Sequence, residues 1–192
     1  DVPGLEKYHG TDVFLTEAIT LEMNQAIEDA VNSGHSFFAY MSHYAVHAPW
    51  IYPDTRFIKN YPTLDGHGLA FATLVEGMDK SLGDIMEKLD ELGVAEETLV
   101  IFFSDNGSAW SANGPFRDKK GSRFEGGLRV PLIVSWAKPN PHHPMQKNLA
   151  IPAKSVAHDV VTCVDLMPTM LKIAGAKVPK DAVIDGFDIS PY

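Results

Sequence analysis

The sequence predicts an α/β fold in which helices cover a layered sheet, and three observations carry that expectation. Leu99-Val100-Ile101-Phe102-Phe103 is an uncharged run of mostly β-branched and aromatic residues, the composition of a strand buried on both faces. Ser36-Phe37-Phe38-Ala39-Tyr40-Met41-Ser42 repeats that composition. An amphipathic stretch of helical length precedes each run, so helical and extended segments alternate along the chain.

The elements follow in order. Residues 1–10 carry Pro3, Gly4 and Gly10 and read as a loop. A helix is expected over 16–32, because Ile19, Met23, Ala26, Ile27 and Ala30 recur at helical spacing. Thr16 is its expected N-cap, and Ser33-Gly34 its stop. The strand 36–42 breaks into a polar loop holding His43 and His47, with Pro49 stiffening the chain just beyond. Residues 51–65 read as an irregular connection. A long helix is expected over 66–92, with Leu69, Leu74, Met78, Leu82, Ile85 and Leu89 on one face and Gly93 ending it. After the strand at 99–103 comes a loop over 105–128, long enough to suggest function. A third strand is expected over 130–136, with Pro131 near its start. Residues 137–155 read as a surface loop and 155–162 as a short fourth strand. A helix over 165–174 follows, with Pro168 in its first turn and Gly175 as its end. No internal repeat or linker divides the chain, so one domain is expected.

Bulk properties exclude several classes. A net charge of −9 argues against a nucleic-acid surface. No apolar run approaches the roughly 18 residues of a spanning helix, so no membrane segment is expected. The single cysteine, Cys163, leaves no internal disulfide and no multi-cysteine metal site, and reads as a buried thiol.

Polar groups cluster at the strand ends. His47 follows the first strand, Asp105-Asn106 the second, and a basic loop from Arg117 through Lys119 and Lys120 leads into the third. A carboxylate beside a side-chain carbonyl supplies two hard oxygen donors, which suit Ca²⁺ or Mg²⁺. Taken alone, Ser104-Asp105-Asn106-Gly107 also fits an ordinary turn, His43, His142 and His143 fit exposed loops, and the basic run fits a solvated face. If the strand ends share one side, a cation, an imidazole and an ammonium would surround a tetrahedral oxyanion such as sulfate or phosphate.

Phe37 to Ser42 followed by His47-Ala48-Pro49, the strand Thr98 to Gly107, and Phe116-Arg117-Asp118-Lys119-Lys120-Gly121 with Phe124-Glu125-Gly126-Gly127 together resemble the sulfatase (arylsulfatase) family of the alkaline phosphatase superfamily. Val164 to Leu171 and Asp185-Gly186-Phe187-Asp188 are similar to later landmarks of that family, in the same order. The resemblance implies a sandwich with a mostly parallel, mixed β-sheet between helices, alkaline-phosphatase-like and incomplete. It implies a sulfuric ester hydrolase acting on a sulfate ester. Asp105 and Asn106 would ligate a divalent cation, Ca²⁺ or Mg²⁺, His47 would contact the sulfate and protonate the leaving alcohol, and Lys120 would bind the sulfate. Arg117 and Glu125 fall on motif positions and read first as residues that order the loop.

The departures bear on function. Formylglycine, the family's nucleophile, arises in Cys/Ser-x-Pro-x-Arg, and no such motif occurs here. Its early pair of acidic metal ligands is absent as well. The resemblance therefore implies that residues 1–192 are a partial catalytic domain, its C-terminal part, inactive by itself and open to self-association along an exposed sheet edge. The alternatives are a phosphoester or phosphonate hydrolase of the same superfamily, and a non-catalytic binding domain that keeps the fold. An exported location (periplasm, cell exterior or lysosome) is implied by the family. Asn106-Gly107-Ser108 forms an incidental glycosylation sequon, and His67 and Trp110 are candidates to line the pocket for the alcohol.

Overall fold

Helix α1 spans Leu15–Asn32 in the computed structural model, which describes residues 2–110 and 113–190. Its N-cap is Phe14 rather than Thr16. Thr16 is buried at 4% exposure inside the first turn, where its carbonyl accepts the Thr20 hydroxyl at 2.6 Å. A threonine turned into the core cannot also serve the open helix end, so packing overrides the capping preference. Helix α2 spans Gly66–Glu91, and Gly93 ends it with φ +72°. The two helices pack together, and the hydroxyls of Thr20 and Ser81 meet in the buried seam at 2.6 Å.

Strand β1 (Leu99–Phe103) and strand β2 (Leu132–Trp136) form a two-stranded sheet. They run antiparallel, with Leu99 opposite Trp136 and Phe103 opposite Leu132. Pro131 stands just ahead of β2, where its carbonyl accepts the Ser104 N–H at 3.3 Å. Ile27, Leu89 and Ala95 centre a core into which Phe37, Ile85 and Val100 also pack. This core draws on residues of α1, α2 and β1.

The expected mostly parallel sheet is therefore not what the described residues form. Residues 36–42 belong to no strand. Phe37 reaches the core, while Phe38 and Tyr40 are 73% and 80% exposed. The expected strand at 155–162 is also absent, and Val156 and Val160 are exposed. A strand exists only through the ladder it shares with a neighbour, and neither segment has one among the described residues.

The connection at 51–65 is irregular in path yet firmly held. Asp54 is completely buried. Its carboxylate accepts the Arg56 backbone N–H at 3.2 Å, Nε at 3.0 Å and a terminal guanidinium nitrogen at 2.7 Å. Arg56 reaches on to Glu17 of α1 at 3.0 Å. The Asp54 N–H donates to Thr73 of α2 at 3.0 Å.

The chain divides into two compact units, the first ending at Pro139 and the second beginning at Asn140. In the second, helix α4 (Pro144–Asn148) lies in the stretch expected to be loop, with proline at its start. The Gln146 side-chain carbonyl accepts the Asn140 N–H at 2.7 Å. Helix α5 spans Cys163–Ile173, beginning two residues earlier than expected, and its N-cap is Thr162. Thr162 and Asp165 form a capping box that sets this start. Pro168 consequently lies in the second turn, not the first, and leaves the Val164 carbonyl without its usual N–H partner. Gly186 packs against that carbonyl so closely that a Cβ would overlap it. Cys163 is exposed rather than buried. It stands two residues from Asp165, hence on the opposite side of the helix from the buried Asp165–Thr169 face.

Asp165 also accepts the Phe187 N–H at 2.8 Å, tying residues 185–190 to α5. That N–H, and then the Thr162 N–H, hold the Asp165 carboxyl below the usual carboxylate range. A depressed native pKa contributes stability that is present above the unfolded value, near about pH 4, and is lost as pH falls through the native one. Acidification from about pH 5 to about pH 3 should therefore lower the urea midpoint of wild type more steeply than that of Asp165→Asn. Parallel profiles would show that Asp165 has no part in acid sensitivity. No helix among the described residues is long and apolar enough to cross a membrane.

Candidate active site

The end of β1 is organised by backbone packing. After Phe103 the chain passes Asp105, which is exposed, and Asn106, which is half-buried, before the buried Gly107. The Gly107 N–H donates to the Gly127 carbonyl at 3.1 Å, and the Gly126 N–H to the Arg117 carbonyl at 2.8 Å. A Cβ at Gly107 would overlap the Gly126 carbonyl, one at Gly126 the Arg117 and Asp118 carbonyls, and one at Gly127 the Ser122 carbonyl. Glycine is needed at all three places because main chain meets main chain there. Helix α3 (Glu125–Leu128) carries two of them.

This knot brings the basic loop to the Asp105-Asn106 turn. The Lys120 N–H donates to the Ser108 carbonyl at 3.2 Å. Asn113 clamps the same region: its Oδ1 accepts the Ser108 N–H at 2.8 Å, and its Nδ2 donates to the carbonyls of Ser108 at 3.1 Å and Asp118 at 3.3 Å. The Asp105 carboxylate and the Lys120 ammonium are both exposed, and neither has a hydrogen-bond or ion-pair partner among the described residues. Residues 118–124 line a shallow, open depression around the Lys120 side.

Three other charged residues around the loop are occupied. The Arg117 guanidinium stacks over Phe124 at 3.7 Å from the ring centre, and Arg129 over Phe116 at 4.9 Å. Glu125 pairs with Arg129 at 2.8 Å. Arg117 and Glu125 thus order the loop in which they lie.

His47 is exposed, and its Nδ1 lies 2.8 Å from the Ala48 carbonyl. A carbonyl can only accept, so Nδ1 carries the hydrogen and Nε2 is left to face outward chemistry. The His47 loop is held next to the Asp105 loop by Trp50, whose ring meets Trp110 edge-on at 4.9 Å. His43, expected to be exposed, is half-buried with its Nδ1 enclosed and unpartnered among the described residues. Burial pushes its pKa down, which favours the neutral ring.

Asp105 and Asn106 provide hard oxygen donors of the type that calcium or magnesium takes, but only two of the six to eight a calcium site uses. No group of three or more His, Cys, Asp or Glu side chains among the described residues could hold an ion by itself. Sequence inspection missed Asn113 and Trp50. Asn113 carried only the signal of an Asn-Gly turn, and Trp50 that of one more aromatic residue in a proline-rich stretch.

Residues 5–176 match the family model described as Sulfatase. The chain belongs to the sulfatase family. N-acetylgalactosamine-6-sulfatase of Mus musculus is 36% identical over 184 residues, which cover 92% of this sulfatase chain and 32% of the relative. Arylsulfatase A of Homo sapiens is 33% identical over 169 residues, covering 85% and 30%. The sulfatase chain therefore spans about a third of the length of these curated relatives. Among solved structures, Ps i-CgsB superimposes with a TM-score of 0.81 at 30% identity, over 95% of this chain and 40% of that one. The PsFucS1 sulfatase from Pseudoalteromonas sp. gives 0.71 at 30% identity, over 89% and 32%.

Proposed function

We propose that this chain supplies one wall of the active site of a sulfuric ester hydrolase, within an alkaline-phosphatase-like layered sandwich. The observation that carries this reading is the glycine knot, which joins the Asp105-Asn106 turn to the Lys120 loop in a chain of the sulfatase family. Asp105 and Asn106 would hold Ca²⁺ or Mg²⁺, which polarises sulfate oxygens when bound.

The attack on sulfur would come from a nucleophile outside these residues, and two supporting roles belong to this chain's own side chains. Lys120 offsets the negative charge of the bound sulfate and the charge growing on the bridging oxygen as the S–O bond breaks. His47, with Nδ1–H given to Ala48, donates from Nε2 in its protonated form to the leaving alcohol. Loop rigidity matters because both groups must be in place before the bond breaks.

The 192 residues do not fit a formylglycine nucleophile, since no Cys/Ser-x-Pro-x-Arg occurs and Cys163 is followed by Val164-Asp165-Leu166. The 192-residue protein should show no turnover of a chromogenic aryl sulfate with calcium added. Clear hydrolysis by the purified protein that Lys120→Ala abolishes would mean that a nucleophile lies within these residues. Family membership also supports an exported location, which fractionation of the source cells would check.

A further inference from the structure

Beside the proposed sulfate site the same two loops build an aromatic corner that the proposed chemistry leaves unused. Trp50 stands three residues after His47, and Trp110 five after Asp105. Their rings meet at 61° with centroids 4.9 Å apart. Trp50 is held from behind by Phe71 of α2 at 6.2 Å, and its Nε1–H donates to the Val46 carbonyl at 2.9 Å. Trp50 is thereby half-buried and fixed in orientation. Trp110 rests on it by an edge contact and stays 47% exposed. His67, exposed in the first turn of α2, lies against Trp110 at 5.7 Å between ring centres and 74° between planes.

The location ties this corner to the site. The Ser108 carbonyl, two residues before Trp110, is the group that receives the Lys120 N–H. The Trp50 loop is the loop that carries His47. The aromatic corner thus shares its two loops with His47 and Asp105 and is one backbone hydrogen bond removed from Lys120.

We propose that Trp110 is a specificity-determining residue, stacking its exposed indole on one sugar ring that carries the sulfate ester. The proposal rests on the reading of His47, Asp105, Asn106 and Lys120 as a sulfate site. The chemistry fits a sugar for two reasons. A pyranose presents a small C–H face about the size of one indole, and Trp110 offers a single indole that is 47% exposed. The same pyranose has a hydroxyl rim, and the imidazole of His67 at the border of Trp110 supplies a donor or acceptor for it.

The test is a titration of the 192-residue protein and its variants, with affinities from calorimetry and the place of binding in wild type from NMR of the tryptophan indole N–H signals. Trp136, 4% exposed in β2, serves as the internal control. The probes are methyl galactoside 6-sulfate, methyl galactoside and inorganic sulfate. The sulfated galactoside should shift the Trp110 signal and inorganic sulfate should not. Trp110→Ala should weaken the sulfated galactoside about tenfold and leave inorganic sulfate unchanged, in line with the usual worth of one stacked ring. Trp110→Phe should keep most of the affinity, and Lys120→Ala should weaken both sulfate-bearing probes. If Trp110→Ala changes nothing while Lys120→Ala weakens the sulfated galactoside, the stacking proposal is wrong and the sulfate site stands. If Lys120→Ala changes neither ligand, or neither binds, the sulfate reading fails and the proposal with it. A steroid sulfate that moves the Trp110 signal at lower concentration than the galactoside overturns the assignment to a sugar.

Discussion

Replacing Asp54 by alanine should cost the first unit about 3 kcal/mol, the low end of the range for breaking one side of a buried ion pair. The reasoning starts from burial. The Asp54 carboxylate is wholly inaccessible and accepts three N–H groups of Arg56. Removing it leaves those donors without their acceptor. The Arg56 side chain is 27% exposed and keeps Glu17 at 3.0 Å, which limits the loss and keeps the figure from the upper end. Asp54→Asn keeps the shape and part of the hydrogen bonding, so it should lose less than the alanine variant. Urea unfolding of the three proteins measures both differences. A change below about 1 kcal/mol in Asp54→Ala would show that residues 51–65 are not anchored through this carboxylate.

The second large effect concerns Gly107. Its φ is not in the left-handed region, so glycine is needed there for space alone. A Cβ would overlap the Gly126 carbonyl, and neither partner is a flexible side-chain end. Gly107→Ala must separate the two loops, losing the bonds Gly107 to Gly127, Gly126 to Arg117 and Lys120 to Ser108. At about 1 kcal/mol each, the loss is about 3 kcal/mol. Amide exchange at Gly107, Gly126 and Lys120 should then quicken by about a hundredfold, because opening becomes that much easier. The control is Gly83→Ala in α2, where a Cβ meets nothing within 4 Å. That change should stabilise the helix by about 0.5–1 kcal/mol. Unaltered exchange in the Gly107 variant would mean that the knot does not hold the Lys120 loop.

Legibility followed the range of the interaction responsible. The two long helices were visible because amphipathic periodicity is written locally, residue by residue. The loop at 105–128 was singled out by its length and glycines, and the knot at Gly107, Gly126 and Gly127 explains both. Thr16 shows the limit of local signals. It has a good capping side chain, but burial places it inside the helix. Asn113 and Asp54 were equally opaque, since each reads as an ordinary turn residue until its hydrogen-bond partners are known. At the site, the residue types of Asp105, Asn106, His47 and Lys120 could be read directly. What places the first two beside the Lys120 loop, backbone touching backbone across glycines, could not.

By itself the sequence determined the helices α1, α2 and α5, the strand at 99–103 and the family, because each rests on local pattern or on motif order. Only the tertiary structure decided which extended runs became strands. Residues 36–42 and 99–103 have the same apolar composition, yet only the second has a neighbour, β2, to accept its ladder. Pairing and its antiparallel direction depend on residues far apart in the chain, from Leu99 with Trp136 to Phe103 with Leu132, and no local preference encodes them.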